Sequence, residues 1–542
     1  MSIRQHAENL NEGRRVPHPT RGGSYTVGRL LFVRLLGLVY LIAFVSLWVQ
    51  IEGLVGSDGI LPVGDFLDRI RDNMGVERYW KFPTLLWLGA GDLALHSLCG
   101  AGVVLSLALI AGVAPIPVLF SLWACYLSLV LGGQTFLGFQ WDSLLLEAGF
   151  CALFVAPTIW WPTLRAKLRP PSRVGLWLGW LLLFKLMFLS GAVKPLSMDE
   201  TWWKLTALDF HYWSQPIPTW TAWYAHHLPS WFQKLSILVT YAIEIVLPFL
   251  IFTGRAGRRI VAIGTVFLML MISWTGNYGF FNLLTVALCA LLIDDAAFAR
   301  WLPIAKLRLE PSSAPTGWRR IAPIATVVSV VLLIAVSSLT MVHELVRTVP
   351  PGTRGVAGAM AGAADRWLLS WARPGVLQQT RPFRTINGYG LFRSMTTERP
   401  EIEVEGSRDG VTWTAYPFKW KPGDPTRAPG FVQPHMPRLD WQMWFAALNP
   451  RRAEPWLTGL MGGILSGSSD VLALLDDDPF AGDPPRYVRL LYYKYKFATP
   501  AERRDQGVWW TRELSGPLTP PLTLEQLGRA PGQENETPAM GS

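Results

Sequence analysis

Between residues 30 and 341 the chain alternates long apolar blocks with short polar ones. A bilayer core about 30 Å thick takes about 20 apolar residues of helix to cross. About nine blocks meet or approach that length: 30–49, 93–111, 115–131, 141–159, 174–193, 235–253, 260–274, 280–293 and 321–341. Helix is the form these blocks must take, because backbone polar groups in hydrocarbon have to be satisfied without water. Blocks seven and eight are short, and Thr275-Gly276-Asn277-Tyr278-Gly279 between them predicts a tight helical hairpin. Past Pro350 the apolar blocks stop. Residues 401–405 and 411–414 alternate with period two around the turn Ser407-Arg408-Asp409-Gly410, which predicts a β-hairpin. Residues 491–497 alternate again, and short helices are predicted over 438–448 and 454–465. The pattern predicts a polytopic α-helical membrane domain of about nine spans followed by a β-rich α+β soluble domain. Its divisions are a cytoplasmic tail (1–29), a helical transmembrane domain (30–345), a soluble extracytoplasmic domain (346–526) and a polar, disordered tail (527–542).

Composition sharpens this picture. Of 542 residues, 50% are hydrophobic and only 16% are charged, against about a quarter charged in soluble domains. The net charge of +10 sits in short clusters between the apolar blocks. Arg4, Arg14, Arg15, Arg21 and Arg29 precede the first block; Arg165, Lys167, Arg169 and Arg173 follow the fourth. Arg255, Arg258 and Arg259 follow the sixth, and Arg300, Lys306, Arg308, Arg319 and Arg320 follow the eighth. All fall on one side if every block spans, which by the positive-inside rule is the cytoplasm. An odd number of spans then exports everything past Met341, to a periplasm or to the lumen of the endoplasmic reticulum. The lipid bilayer is thus one partner; nucleic acid is not expected, since no long basic stripe or recognition motif is present. Cys99, Cys125, Cys151 and Cys289 lie in or beside apolar blocks and offer no disulfide or zinc framework.

A charge in hydrocarbon costs about 2.5–3.5 kcal/mol on insertion scales, so it is kept with a partner or a task. Asp142, Glu147, Lys185 and Glu244 all fall inside predicted spans, and Lys194 closes the fifth. Asp142 and Glu147 are five residues apart and point about 140° apart on a helix, so they form no obvious carboxylate pair. Lys185, near the middle of its span, is expected to pair with Glu147 or Glu244, either as a helix-packing ion pair or as part of a polar pocket. Asn277, Tyr278 and Asn282 lie where the chain reverses, placed to satisfy freed backbone groups or to line a small cavity.

The loop from Lys194 to Trp231 is rich in Trp, Tyr, His and Pro. It reads either as an interfacial aromatic collar or as a cavity mouth using His211, Gln215, His226 and His227. His226 and His227 diverge by about 100° on a helix, a poor metal pair, and no metal or other cofactor is expected. In the soluble half, Asp409 and Gly410 make the turn and Trp413 packs beside it. This turn resembles those of discoidin-type and galactose-binding-like sandwiches, making a β-sandwich one candidate. His435, Arg438, Asp440 and Trp441 cluster before a Trp-rich helix, either as a capped, salt-bridged corner or as a client contact.

Several long motifs carry a family resemblance. Gly133-Gln134-Thr135-Phe136-Leu137-Gly138-Phe139-Gln140-Trp141-Asp142 and on to Glu147, residues 185–194, residues 205–229 and Gly276-Asn277-Tyr278-Gly279-Phe280-Phe281-Asn282 resemble motifs of lipase maturation factors. So do Ile386-Asn387-Gly388-Tyr389-Gly390-Leu391-Phe392, residues 401–413 and residues 434–445. The resemblance runs over about 30–522 and so covers both halves. It implies a membrane-anchored factor for folding and assembly of secreted proteins, with a lipase-type client protein as partner and a lumenal or periplasmic C-terminal domain. The family is more distantly similar to the superfamily of vitamin K-dependent γ-carboxylase. That analogy gives the rival reading, a membrane enzyme acting on a lipid or quinone-like substrate, with Lys185, Lys194 or His211 as acid/base groups.

Overall fold

Continuous apolar sequence sets the long helices, and local signals set their ends. The computed structural model describes residues 24–161, 170–298 and 321–528. The tail through residue 23, Arg165, Lys167 and Arg169, the basic stretch 300–320 and the tail from 529 lie outside the described residues. Among the described residues, seven helices are long and apolar enough to cross a membrane. They are α1 (Thr26–Trp48), α2 (Asp92–Ala111), α3 (Pro115–Gly132), α5 (Arg173–Leu196), α6 (Ser230–Phe252), α7 (Arg255–Thr275) and α9 (Ile324–Thr348). The Asp295 carboxylate accepts from the Thr26 and Val27 amides at 3.2 and 2.9 Å, placing an anion at the positive end of α1. Gly112, at φ 84°, ends α2 in a left-handed turn, and Pro115 opens α3 where its missing N–H is no loss.

Seven helices are thus long enough to span, and the expected count of about nine is not confirmed. Blocks 141–159 and 280–293 give only short helices, α4 (Gln140–Ala152) and α8 (Phe281–Cys289). Both are buried by protein on most sides. Irregular backbone is tolerated at membrane depth where protein covers it. Past Ala152 the chain unwinds, and its end meets the start of α3 where Ala114 N–H donates to Trp160 O at 2.9 Å. Residues 275–279 do reverse the chain, with Thr275 closing α7 and Phe281 opening α8.

Two ends of the bundle can be distinguished. At one, Tyr25 before α1 receives a hydrogen bond from Arg258 of α7 at 3.0 Å, and Arg258 stacks over Trp180 of α5. At the other, the end of α1 holds the C-terminal region. Gln50 donates to Met436 O and accepts from Arg438 N–H, both at 2.9 Å, and Ser46 accepts from Met436 N–H.

That region contains a four-stranded antiparallel sheet of order β2-β1-β3-β4, with β1 (Arg399–Ser407), β2 (Thr414–Ala415), β3 (Tyr487–Phe497) and β4 (Trp510–Pro517). The 407–410 turn joins β1 to β2, though β2 keeps only two residues of the expected strand. The described residues hold one sheet with helices packed on it, so the sandwich expectation is not met. Helices α10 (Arg438–Leu448) and α11 (Pro450–Ser466) match the predicted pair closely. Ile402 and Val404 of β1 enter the main core. Tyr495, Phe497 and Trp510 form a second cluster with Tyr212, Trp213 and Trp223 from the Trp-rich loop.

Close approach of backbones fixes the docking. A Cβ on Gly459 of α11 would sit 2.1 Å from Ile60 O, and one on Gly53 would sit 2.2 Å from Asp470 O. Gly459→Ala and Gly53→Ala are each expected to cost about 1–3 kcal/mol in thermal unfolding of the detergent-solubilised chain. Gly64→Ala, which meets nothing within 4 Å, should leave the melting temperature unchanged or slightly raised.

Candidate functional site

The intramembrane charges sort into three clusters. In the first, Asp142, in the first turn of α4, faces Arg438, in the first turn of α10. The guanidinium donates to both carboxylate oxygens, Nη1 to Oδ2 at 2.6 Å and Nη2 to Oδ1 at 2.8 Å. Tyr126 donates to Asp142 Oδ1 at 2.6 Å, and Arg438 also donates to Phe136 O at 3.1 Å. Both charged side chains are fully buried. Arg438 therefore pairs with Asp142 rather than with Asp440, the expected partner. Asp440 instead accepts the Trp420 and Lys421 amides, both at 2.9 Å. His435 shares a hydrogen bond with Ser46 at 2.9 Å through Nδ1. Trp441 packs edge-on against Trp141 at 4.7 Å.

In the second cluster, Glu147 binds Lys185 through Oε1. Its other oxygen accepts from Tyr389 OH at 2.7 Å and from the Asn387 amide at 2.9 Å. The Asn387 side chain also donates to Ser143 O at 3.1 Å. Of the two partners expected for Lys185, the structure places Glu147 against it.

The third cluster lines a cavity of about 120 Å³. Lys194 Nζ donates to Glu244 Oε2 at 2.6 Å and to Ser190 O at 2.7 Å. Glu244 sits in a π-helical turn, Ala242–Val246, followed by the 3₁₀ turn Leu247–Phe252 with Pro248. His211, Tyr278 and Asn282 join the lining. Tyr278 OH donates to Gln215 Oε1 at 2.7 Å and lies 3.4 Å from His211 Nε2. Burial, and then the Lys194 charge, lower His211 from 6.5 to about 4. Asn277 is not at the cavity wall: its Oδ1 accepts the Val432 amide at 2.8 Å and its Nδ2 donates to Gly430 O at 2.8 Å. It stitches the reversal to the C-terminal region.

The remaining candidates stand apart. His226 lies beside His227 and Phe497, away from His211 and Gln215. The tryptophans of its loop split: Trp202, Trp213 and Trp223 are buried, whereas Trp203, Trp220 and Trp231 stay exposed. Asp409 accepts the Val411 and Thr412 amides at 2.8 and 2.7 Å, which holds its carboxyl well below the usual range. Trp413 stacks under Arg489, 4.1 Å away. One buried cluster escaped the sequence reading. Arg399 donates to Trp213 O at 2.8 Å, Pro216 O at 2.7 Å and Gln215 O, while Glu401 bridges it to Lys421. Glu401 lies in an alternating strand at a position that reads as solvent-facing, so only the packed loop reveals it.

Comparison with known proteins decides the family. Residues 27–300 match the Lipase maturation factor transmembrane domain, and residues 385–520 match the Lipase maturation factor C-terminal domain. Lipase maturation factor 2 of Homo sapiens is 36% identical over 94% of this chain and 85% of its own length. This chain belongs to the lipase maturation factor family. Lipase maturation factor 2 of Gallus gallus is 39% identical over 90% of the chain and 80% of the relative. Lipase maturation factor 1 of Mus musculus is 34% identical over 93% and 88%. No solved structure matches the chain. These relatives do not favour the enzymatic reading. In this maturation factor Lys185 is sealed between Glu147 and Tyr389, and Lys194 is bonded to the cavity's own carboxylate.

Removing one member of a buried ion pair costs about 3–5 kcal/mol, because the other charge is stranded. Arg438→Met and Asp142→Leu should each lose that much. The double variant should recover most of it, which a double-mutant cycle on thermal unfolding will read. Acid provides a second check. Burial, with Arg438 and Lys419 near, lowers His435 from 6.5 to about 4. A His held neutral in the fold stabilises fully above its unfolded value and loses that contribution as pH falls from 6.5 towards 4. Melting temperatures should fall across that window, and His435→Gln should blunt the fall.

Proposed function

We propose that this chain is a membrane-anchored maturation factor that assists folding and assembly of secreted proteins, with lipase-type clients. The observation that carries the proposal is similarity to proteins named lipase maturation factors through the membrane half and the C-terminal half alike. A factor for exported clients has to present its working surface on the export side of the membrane. We place the N-terminus in the cytoplasm and the C-terminal region outside it. Two features support this. Arg29, Arg173, Arg255, Arg258 and Arg259 all lie in the first turns of α1, α5 and α7, at the end where Tyr25 meets Arg258. The C-terminal region attaches to the opposite end, at Ser46 and Gln50.

Client binding needs accessible apolar surface. The stretch after the last long helix offers it: Val356, Met360, Trp367 and Trp371 are exposed, Trp367 at 77%. In this reading Asp142–Arg438 and Glu147–Tyr389 act as anchors that hold the exported region rigidly on the bundle. Asn387, His435 and Trp441 belong to the same anchoring surface.

A dual reporter fused after residue 528 should be active only in the exported compartment; cytosolic activity would overturn the orientation. Deleting the gene should lower secreted lipase or esterase activity several-fold with unchanged transcript levels. An unchanged exported proteome would count against the maturation role. Trp367→Ser with Trp371→Ser should weaken client activity while leaving the protein's own abundance intact.

A further inference from the structure

The helix Val63–Asn73, which follows the end of α1, is built in stripes. Val63, Leu67 and Ile70 pack into the core. Asp65, Asp68 and Asp72 repeat at i, i+3 and i+7 along an exposed stripe. Phe66, Arg69 and Asn73 repeat at the same spacing one residue on, so their stripe lies about 100° round the helix. It forms one wall of a groove of about 480 Å³. That volume falls within the roughly 300–1,000 Å³ usual for ligand sites. The floor is apolar, from Leu61, Phe66, Ile70, Met74 and, from α11, Pro455. Gln134 joins the lining from the 3₁₀ turn before α4.

Arg69 is the one charged residue on this lining. Asp68 is answered by Arg71 at 2.7 Å, away from the groove. Asp65 and Asp72 stand at i−4 and i+3 from Arg69, close enough on a helix to pair with it. Arg69 takes neither carboxylate. Its Nε donates to Asp65 O at 3.3 Å, and its two Nη groups have no partner among the described residues. A guanidinium in that state can receive a carboxylate through two parallel hydrogen bonds.

Two primary amides stand beside it. Asn73 Nδ2 donates to Arg69 O at 2.7 Å, and Gln134 Nε2 donates to Leu61 O at 3.1 Å. Each keeps its carbonyl oxygen without a partner among the described residues. Such an acceptor, with a second N–H beside it, suits the alternating N–H and C=O of an extended chain. A hydrocarbon chain would leave these groups unpaired. Gln134 holds φ 48°, uncommon for a residue with a Cβ, and such outliers gather at ligand clamps. The groove also runs on from the exposed stretch assigned to the client. Phe66 packs edge-on against Phe82 at 6.0 Å. Trp80, two residues earlier, meets Phe383 at 5.0 Å and donates to Gln379 at 3.3 Å, in the segment that continues from Trp367 and Trp371.

We propose that this groove binds an extended peptide segment of the client that carries one acidic side chain beside apolar ones. Arg69 takes the carboxylate, Asn73 and Gln134 take the peptide backbone, and the floor takes an apolar side chain. The proposal rests on the maturation reading for the source of the peptide alone.

The test uses the purified full chain in nanodiscs, read by fluorescence anisotropy. The probe is a labelled peptide of alternating leucine and serine with one central aspartate; its control carries asparagine there. The aspartate peptide should bind several-fold more tightly than the control. Arg69→Gln should weaken it about fivefold, which is about 1 kcal/mol and the upper end for one partly exposed ion pair, and should leave the control unchanged. Arg69→Glu should invert the preference, towards the same peptide with lysine. Asn73→Trp, at the exposed rim, should block binding, while Arg71→Gln should change nothing. Absence of binding at millimolar peptide, or equal binding of the aspartate and asparagine peptides, would overturn the carboxylate site. Undiminished binding to Asn73→Trp would place the peptide elsewhere and sink the groove. Displacement of the peptide by an equal concentration of a fatty acid of similar apolar bulk would replace the peptide assignment with a lipid one. Specific peptide binding by a chain whose deletion leaves the exported proteome unchanged would count against the maturation reading alone.

Discussion

Charge inside a low-dielectric helical bundle has to be neutralised, and most of the rest of this structure follows from how that is done. Asp142 and Glu147 lie on one short helix among apolar neighbours. Lys185 supplies one counter-charge from within the bundle. The rest comes from the far half of the chain: Arg438 for Asp142, and the Asn387 amide and Tyr389 hydroxyl for Glu147. Without the C-terminal region, one carboxylate would be stranded and the other under-solvated. The membrane half and the C-terminal half are therefore one structure energetically, although their compositions differ sharply.

The same constraint runs in the other direction. Arg399, at the start of β1, is buried against the carbonyls of Trp213, Gln215 and Pro216 in the Trp-rich loop. Asn277 in the reversal between α7 and α8 holds the 430–433 segment through both its polar atoms. Polar groups from each half thus complete the hydrogen bonding of the other, and Gly53 and Gly459 let the backbones approach closely enough. A small sheet of this kind gains rigidity from being clamped on two faces. That clamp fixes the C-terminal region against the helical bundle.

The Lys194–Glu244 pair is the third place in the bundle where this balance is struck. Charge is balanced there, and most of the surrounding wall is hydrocarbon. Helix α6 departs from α geometry at that level, passing through a π turn and then a 3₁₀ turn. Membership of the lipase maturation factor family accounts for the architecture as a whole. The local chemistry of the cavity is a separate property, built from α5, α6, α7 and α8 together.

Much of the fold was legible without coordinates, because hydropathy and periodicity are local properties. The long apolar blocks gave seven helices, the 407–410 turn gave a hairpin, and the helix over 438–448 was placed to the residue. An intramembrane lysine demanded a carboxylate, and Glu147 was one of two on offer. Tertiary structure alone decided the rest. Whether blocks 141–159 and 280–293 form full helices depends on what covers them, since protein-covered backbone need not stay regular. Asp142 finds Arg438 across 296 residues, a pairing no local pattern encodes. Which tryptophans are buried, and that Glu401 faces inward, follow from the elements packed over them. Composition dictates which groups need partners; only the packed chain determines which partners are within reach.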